Sequence, residues 1–168
     1  TQTATEACPW VTEWNEDPIT AGTVYAGCAN VWKATAGTFT KLTGNLAGTS
    51  TVTISSIAVS PASNQVIYAA KGGLYKTTNG GTSWTALTSL PSGFISDIIC
   101  HPTDVNKAWV CISGFTNINK VFMTTNQGTS WVNQSASLPN IPMNCMAIDK
   151  NGNDAIYLGT DNGVFFKD

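Results

Sequence analysis

The chain has 168 residues, of which only 11% are charged, with eight cations against ten acids and a formal net charge of −2. Every cation is a Lys, which excludes both the basic stripe that nucleic-acid binding requires and the guanidinium cluster with which a sialidase grips its substrate carboxylate. The polar start Thr1–Ala7 and the lack of any long apolar run give no signal peptide and no membrane insertion, so the chain reads as a mature or excised segment.

In chain order, the sequence falls into four units of short apolar runs separated by Pro, Asn, Asp and Gly. The first, 9–46, contains Trp14-Asn15-Glu16-Asp17-Pro18, Val24-Tyr25-Ala26-Gly27, Val31-Trp32-Lys33 and a shortened turn at Ala36-Gly37. The second, 52–90, contains Ile57-Ala58-Val59-Ser60-Pro61, Val66-Ile67-Tyr68-Ala69-Ala70, Gly73-Leu74-Tyr75-Lys76 and Ser83-Trp84-Thr85-Ala86-Leu87. The third, 94–138, repeats this with Ile98-Ile99-Cys100-His101-Pro102, Ala108-Trp109-Val110-Cys111 and Lys120-Val121-Phe122-Met123. The fourth, 143–168, has Met146-Ala147-Ile148-Asp149, Ile156-Tyr157-Leu158-Gly159 and Gly163-Val164-Phe165-Phe166. Tyr25, Tyr68, Trp109 and Tyr157 hold one position in the units, 43, 41 and 48 residues apart. The runs are rich in β-branched and aromatic residues, and none has helical apolar spacing. Runs apolar on both faces suit a sheet covered on both sides. Four strands per unit and a period of about 40–50 residues predict an all-β fold, a β-propeller or an arc of one, built of four-stranded antiparallel blades with the last incomplete.

The clearest repeat is Thr77-Thr78-Asn79-Gly80-Gly81-Thr82-Ser83-Trp84, which recurs 47 residues later as Thr124-Thr125-Asn126-Gln127-Gly128-Thr129-Ser130-Trp131. It falls between the third and fourth strands of its unit. Gly81 and Gly128 suit positive φ, the amides of Asn79 and Asn126 can accept backbone N–H groups, and Trp84 and Trp131 would fold back over the turn. The pattern Ser/Thr-x-Asp/Asn-x-Gly-x-Ser/Thr-Trp resembles the Asp-box, or BNR repeat, with Asn where Asp is usual. The longer pattern is similar to Asp-box propellers of secreted bacterial proteins, including surface or sorting-tagged exoproteins of Bacteroidetes, and to xyloglucanase-type and sortilin-type propellers. The resemblance implies that Thr77, Asn79, Gly81, Trp84, Thr124, Asn126, Gly128 and Trp131 serve the fold rather than a reaction. It also implies a secreted or cell-surface location.

Candidates for chemistry are few. Cys8, Cys28, Cys100, Cys111 and Cys145 have no metal-ligand spacing, and no metal or other cofactor is expected. Cys28, Cys100 and Cys111 read as small core residues, or as containing one disulfide, for which Cys100 and Cys111 on consecutive strands are the best-placed pair. His101, the only histidine, stands where the other units have Asp17, Ser60 and Asp149, and so reads as a turn former. A glycosidase needs two flanking carboxyls. Most acids here belong to turns; Asp97, embedded at a strand start, is the first candidate and Glu13, at the equivalent position, the second. Trp10, Trp14 and Trp32 could stack on sugars.

These features predict a non-catalytic binding or scaffolding module for a carbohydrate or protein ligand; the alternative is a fragment of a xyloglucanase-type glycoside hydrolase. The end blades have apolar faces that call for the remainder of a larger propeller or an oligomer. The other way to finish the fourth blade is for residues 1–8 to supply its outer strand.

Overall fold

The computed structural model describes residues 6–42, 46, 51–116, 119–150 and 154–167. Among them are fifteen strands and no helix. β1 (Glu13–Glu16), β2 (Thr23–Gly27), β3 (Val31–Thr35) and β4 (Thr38–Leu42) form the first sheet; β5 (Ser56–Val59), β6 (Ile67–Ala70), β7 (Leu74–Thr77) and β8 (Thr85–Leu87) form the second. The third is β9 (Phe94–Cys100), β10 (Ala108–Ser113), β11 (Val121–Thr124) and β12 (Val132–Asn133). The fourth holds three strands among the described residues, β13 (Met143–Ile148), β14 (Ile156–Thr160) and β15 (Gly163–Lys167). Every pairing is antiparallel between consecutive strands. The first strands neighbour one another, β1 beside β5, β5 beside β9 and β9 beside β13, so the sheets radiate as blades of a β-propeller arc.

Period-two alternation gives each blade a forward face, toward the next blade, and a back face. The repeat position of the sequence lies on the forward face. Tyr25 packs onto Ile57, Val59, Ile67 and Ala69 of blade 2; Tyr68 packs onto Ile98, Val110 and Phe122 of blade 3; Trp109 packs onto Met146, Ile156 and Leu158 of blade 4. These three aromatics are 1%, 1% and 2% exposed, whereas Tyr157, at the same position of blade 4, is 43% exposed. Aromatic burial of this kind dominates core energetics.

The octapeptides of blades 2 and 3 each lie against the blade before. In the first, the Thr77 hydroxyl donates to Asn79 Oδ1 (2.8 Å) and accepts the Gly81 N–H (3.0 Å). Asn79 Oδ1 also accepts the Ser83 N–H (2.9 Å), while its amide donates to the Ser83 hydroxyl (2.8 Å). The second copy repeats this set through Thr124, Asn126, Gly128 and Ser130. The Asn amide thus uses a donor that an Asp would lack. Gly81, at φ +91°, lies against Leu42 of blade 1, and Gly128, at φ +83°, against Leu87 of blade 2, so closely that a Cβ would stand 2.7 and 2.4 Å from the respective Leu Cδ1. Trp84 is buried and donates its indole N–H to the Leu42 carbonyl (3.2 Å). Trp131 is half-buried beside Leu87, and its indole N–H has no partner among the described residues. Strand β8 begins at Thr85 rather than Ser83, because Trp84 turns back into the joint instead of extending the strand.

The disulfide differs from the expected one. Cys8 bonds Cys28, while Cys100 and Cys111 are free and buried. In the β9–β10 register Cys100 lies opposite Ala108 and Cys111 opposite Asp97, and the two thiols join the cores on opposite sides of blade 3. Residues 6–8 run along the β2–β3 turn of blade 1, with the Ala29 N–H donating to the Ala7 carbonyl (2.7 Å), rather than along β15; residues 1–5 lie outside the described set.

Candidate functional site

The innermost strands bring Glu13, Ser56, Asp97 and Cys145 to equivalent places around the axis of the arc. Asp97 ties three blades together. Its Oδ2 accepts the Met146 N–H of blade 4 (2.6 Å), its Oδ1 accepts the Ile98 N–H (2.8 Å), and it accepts a hydrogen bond from Ser56 of blade 2. β13 is the edge strand of its sheet, and a carboxylate is a strong acceptor for an edge N–H. Burial still outweighs these bonds and raises the Asp97 pKa above the ordinary carboxylate value. Glu13 is raised too, first by burial and then by the charge of Asp97. The structure therefore brings the two candidate carboxyls into electrostatic contact, but with both Asp97 oxygens already engaged by the backbone. The neighbouring hydroxyls serve the same joints: Ser55 donates to the Ile95 carbonyl (2.7 Å) and Ser96 to the Met143 carbonyl (2.6 Å). Nearby, a depression of about 270 Å³ between blades 2 and 3 is lined by Val52, Ser55, Gly72, Gly93 and Phe94, with no charged side chain.

The turns at the other end carry a second set of polar joints. Asp17 Oδ1 accepts the N–H groups of Ile19 and Thr20 (both 2.9 Å), and its carboxylate accepts the Asn64 amide of blade 2. His101 does the same work with a ring: Nδ1 accepts the N–H groups of Thr103 (3.1 Å) and Asp104 (2.9 Å), which leaves Nε2 to face Asp154 Oδ1 of blade 4 (2.9 Å). Lys107 Nζ donates to the other Asp154 oxygen (2.5 Å). The Lys107 bond, opposed by partial burial and aided by His101, holds the Asp154 pKa below the ordinary value.

The three candidate stacking residues are not brought together. Trp10 and Trp14 are exposed, at 102% and 69%. Trp32 is half-buried, donates its N–H to Glu6 Oε1 (2.7 Å) and lies beneath the Lys41 ammonium (5.8 Å to the ring centroid). Glu6 also binds Asn30 and Lys41 (3.0 Å); its pKa is opposed by burial yet lowered overall by these partners. Sequence reasoning missed this clasp of Glu6, Cys8 and Cys28, and a lone acid in a polar leader carries no signal for it. No group of three or more metal-ligating side chains occurs among the described residues, and no described helix is long and apolar enough to cross a membrane.

No family model matches the chain, and no curated protein matches it. Solved structures do match. An ancestral GH74 enzyme superposes with a TM-score of 0.75 at 23% identity, covering 96% of this chain and 23% of its own. The GH74 xyloglucanase from Xanthomonas campestris gives 0.72 at 17%, covering 96% and 29%. The Swd1 β-propeller domain from Myceliophteria thermophila gives 0.67 at 12%, covering 100% and 53%. At such identities the likeness concerns the fold, and the chain spans about a quarter of the GH74 enzymes it resembles.

Proposed function

We propose that this propeller segment is a non-catalytic binding or scaffolding module of a secreted or cell-surface protein, with a glycan or protein ligand. The observation that carries the reading is the state of the axial carboxyls. A glycosidase needs one carboxyl as acid and another as base or nucleophile, both reaching substrate. Asp97 spends its oxygens on Met146, Ile98 and Ser56 instead. Recognition by exposed aromatics and neutral hydrogen-bonding groups needs neither carboxyl, and Trp10, Trp14, Phe39 and Tyr157 are exposed. On the same reading the octapeptides have a structural role. They would hold blade to blade rather than touch a ligand.

The test is incubation with xyloglucan and other β-glucans, with binding followed by affinity electrophoresis and hydrolysis by release of reducing ends. The expected outcome is no release, with or without retardation by a glycan. Release by the wild type that disappears in Asp97→Ala would replace this reading with a xyloglucanase-type hydrolase fragment.

A further inference from the structure

The turn between the first and second strands is built to one plan in all four blades. Its first residue, Asp17, Ser60, His101 or Asp149, donates its N–H to the carbonyl of Thr23, Val66, Lys107 or Ala155 respectively. In blades 1 and 3 the side chain of that residue accepts the next free N–H groups of the turn, those of Ile19 and Thr20 on Asp17 Oδ1 and those of Thr103 and Asp104 on His101 Nδ1. Ser60 is too short for this. The Ser63 N–H goes back to the Ser60 carbonyl instead (3.2 Å), and the Ala62 N–H stands in the place of those of Ile19 and Thr103.

The same first residue meets the aromatic of the second strand. The Tyr25 hydroxyl donates to Asp17 Oδ2 (3.4 Å), and the Trp109 ring stacks on His101 (6.2 Å between centroids). Tyr68 holds that place in blade 2. Its hydroxyl and that of Ser60 are both buried, each residue being 1% exposed, and neither has a hydrogen-bond partner among the described residues. Buried polar groups are seldom left in this state. Where Asn64 of blade 2 binds Asp17, Val105 of blade 3 packs against the core, so that side of the Ser60 turn is an apolar wall.

Charge distinguishes the two turns as well. Lys33 lies opposite Tyr25; burial raises the Asp17 pKa, but the Thr20 and Ile19 N–H groups, Asn64 and the Lys33 charge together bring it below the ordinary value. Lys76 lies opposite Tyr68 in the same register. It is half-buried, donates to the Gln127 carbonyl (2.7 Å) and forms no ion pair among the described residues. Blade 2 thus keeps the hydroxyl, the turn N–H and the cation of the blade 1 arrangement and replaces its carboxylate with one more donor.

We propose that Ser60 Oγ, Tyr68 Oη and the Ala62 N–H bind a halide-sized anion, chloride, in the place that the Asp17 carboxylate holds in blade 1, with Lys76 as the countercharge. Converging donors beside a cation suit an anion, and a buried charge needs such pairing. A water would serve the two hydroxyls but leave Lys76 uncompensated. The ion would fix the β5–β6 turn at the joint with blade 3, whether or not the module binds a glycan.

Thermal unfolding of the full chain tests it, at fixed pH and ionic strength, with sodium chloride exchanged for sodium gluconate, whose anion is too large to enter. The wild-type midpoint should rise by about 3–5 °C for each tenfold increase in chloride once the site is filled. Ser60→Asp supplies the carboxylate of blade 1 and should give a midpoint that chloride does not move. Crystals grown in sodium bromide should show an anomalous peak between Ser60 Oγ and Tyr68 Oη, a readout that holds even if the variant fails to fold. A wild-type midpoint indifferent to chloride overturns the proposal. So does a response that Ser60→Asp retains, which would place the ion elsewhere, or density between the two hydroxyls without anomalous signal, which would make the occupant water.

Discussion

Single residues of the joints divide into those whose partners are complete and those whose partners are not. Trp84 fills the blade 1–2 core and spends its N–H on Leu42, so Trp84→Ala should cost about 3–5 kcal/mol, as large aromatic truncations do. Trp131, half-buried and with no partner for its N–H among the described residues, should lose less on truncation, and Trp131→Phe should be close to neutral because no described hydrogen bond is forfeited. Chemical denaturation of the three variants checks the order; equal losses at Trp84 and Trp131 would show that the joints do not differ. At the axis, burial raises Glu13 first and the Asp97 charge adds to it; Asp97→Asn removes that second contribution, so the Glu13 titration midpoint should fall part of the way, as NMR of its carboxyl carbon would record. An unmoved midpoint would place the two carboxyls out of electrostatic reach.

At the scale of elements, the turn that links blade 3 to blade 4 should fail in acid. The Asp154 pKa lies below its unfolded value, so its contribution is present above the unfolded pKa and is lost as the pH falls through the folded one. Asp154→Asn should lower the melting temperature at neutral pH, and the two curves should converge in acid; a gap independent of pH would assign the effect to packing. The N-terminal clasp is a second such element. Cys8 and Cys28 are 20 residues apart, and a loop of that order stabilises by about 3 kcal/mol when closed, a loss that Cys8→Ser should reproduce in the denaturation midpoint. These two elements also mark what the sequence conceals. The octapeptides were legible because their hydrogen bonds close within eight residues, from Thr77 to Trp84. The disulfide was not, because consecutive strands say nothing of register: the turn from His101 to Lys107 decides that Cys100 faces Ala108 and that Cys111 points the other way. Asp97 and Glu13 could be singled out as a pair from their equivalent positions, but not the Met146 N–H that occupies Asp97, since that bond joins residues 49 apart.

Across the whole molecule, each core cluster is shared by two adjacent blades, so stability is a sum of nearest-neighbour joints rather than one common interior. Blade 2 has a neighbour on each side, and every residue of β5 and β6 is buried; β15 has exposed residues at Gly163, Val164 and Phe166. Opening should therefore begin where a joint is missing and advance blade by blade. Amide hydrogen exchange should reveal this as a spatial gradient, with deuterium entering β14 and β15 first and reaching β6 last. In a sample where a partner covers Tyr157, the fast end of that gradient should slow while β6 changes little. The exposed tyrosine thus makes the exchange rate of the last blade a direct gauge of occupancy, readable without knowing the partner in advance.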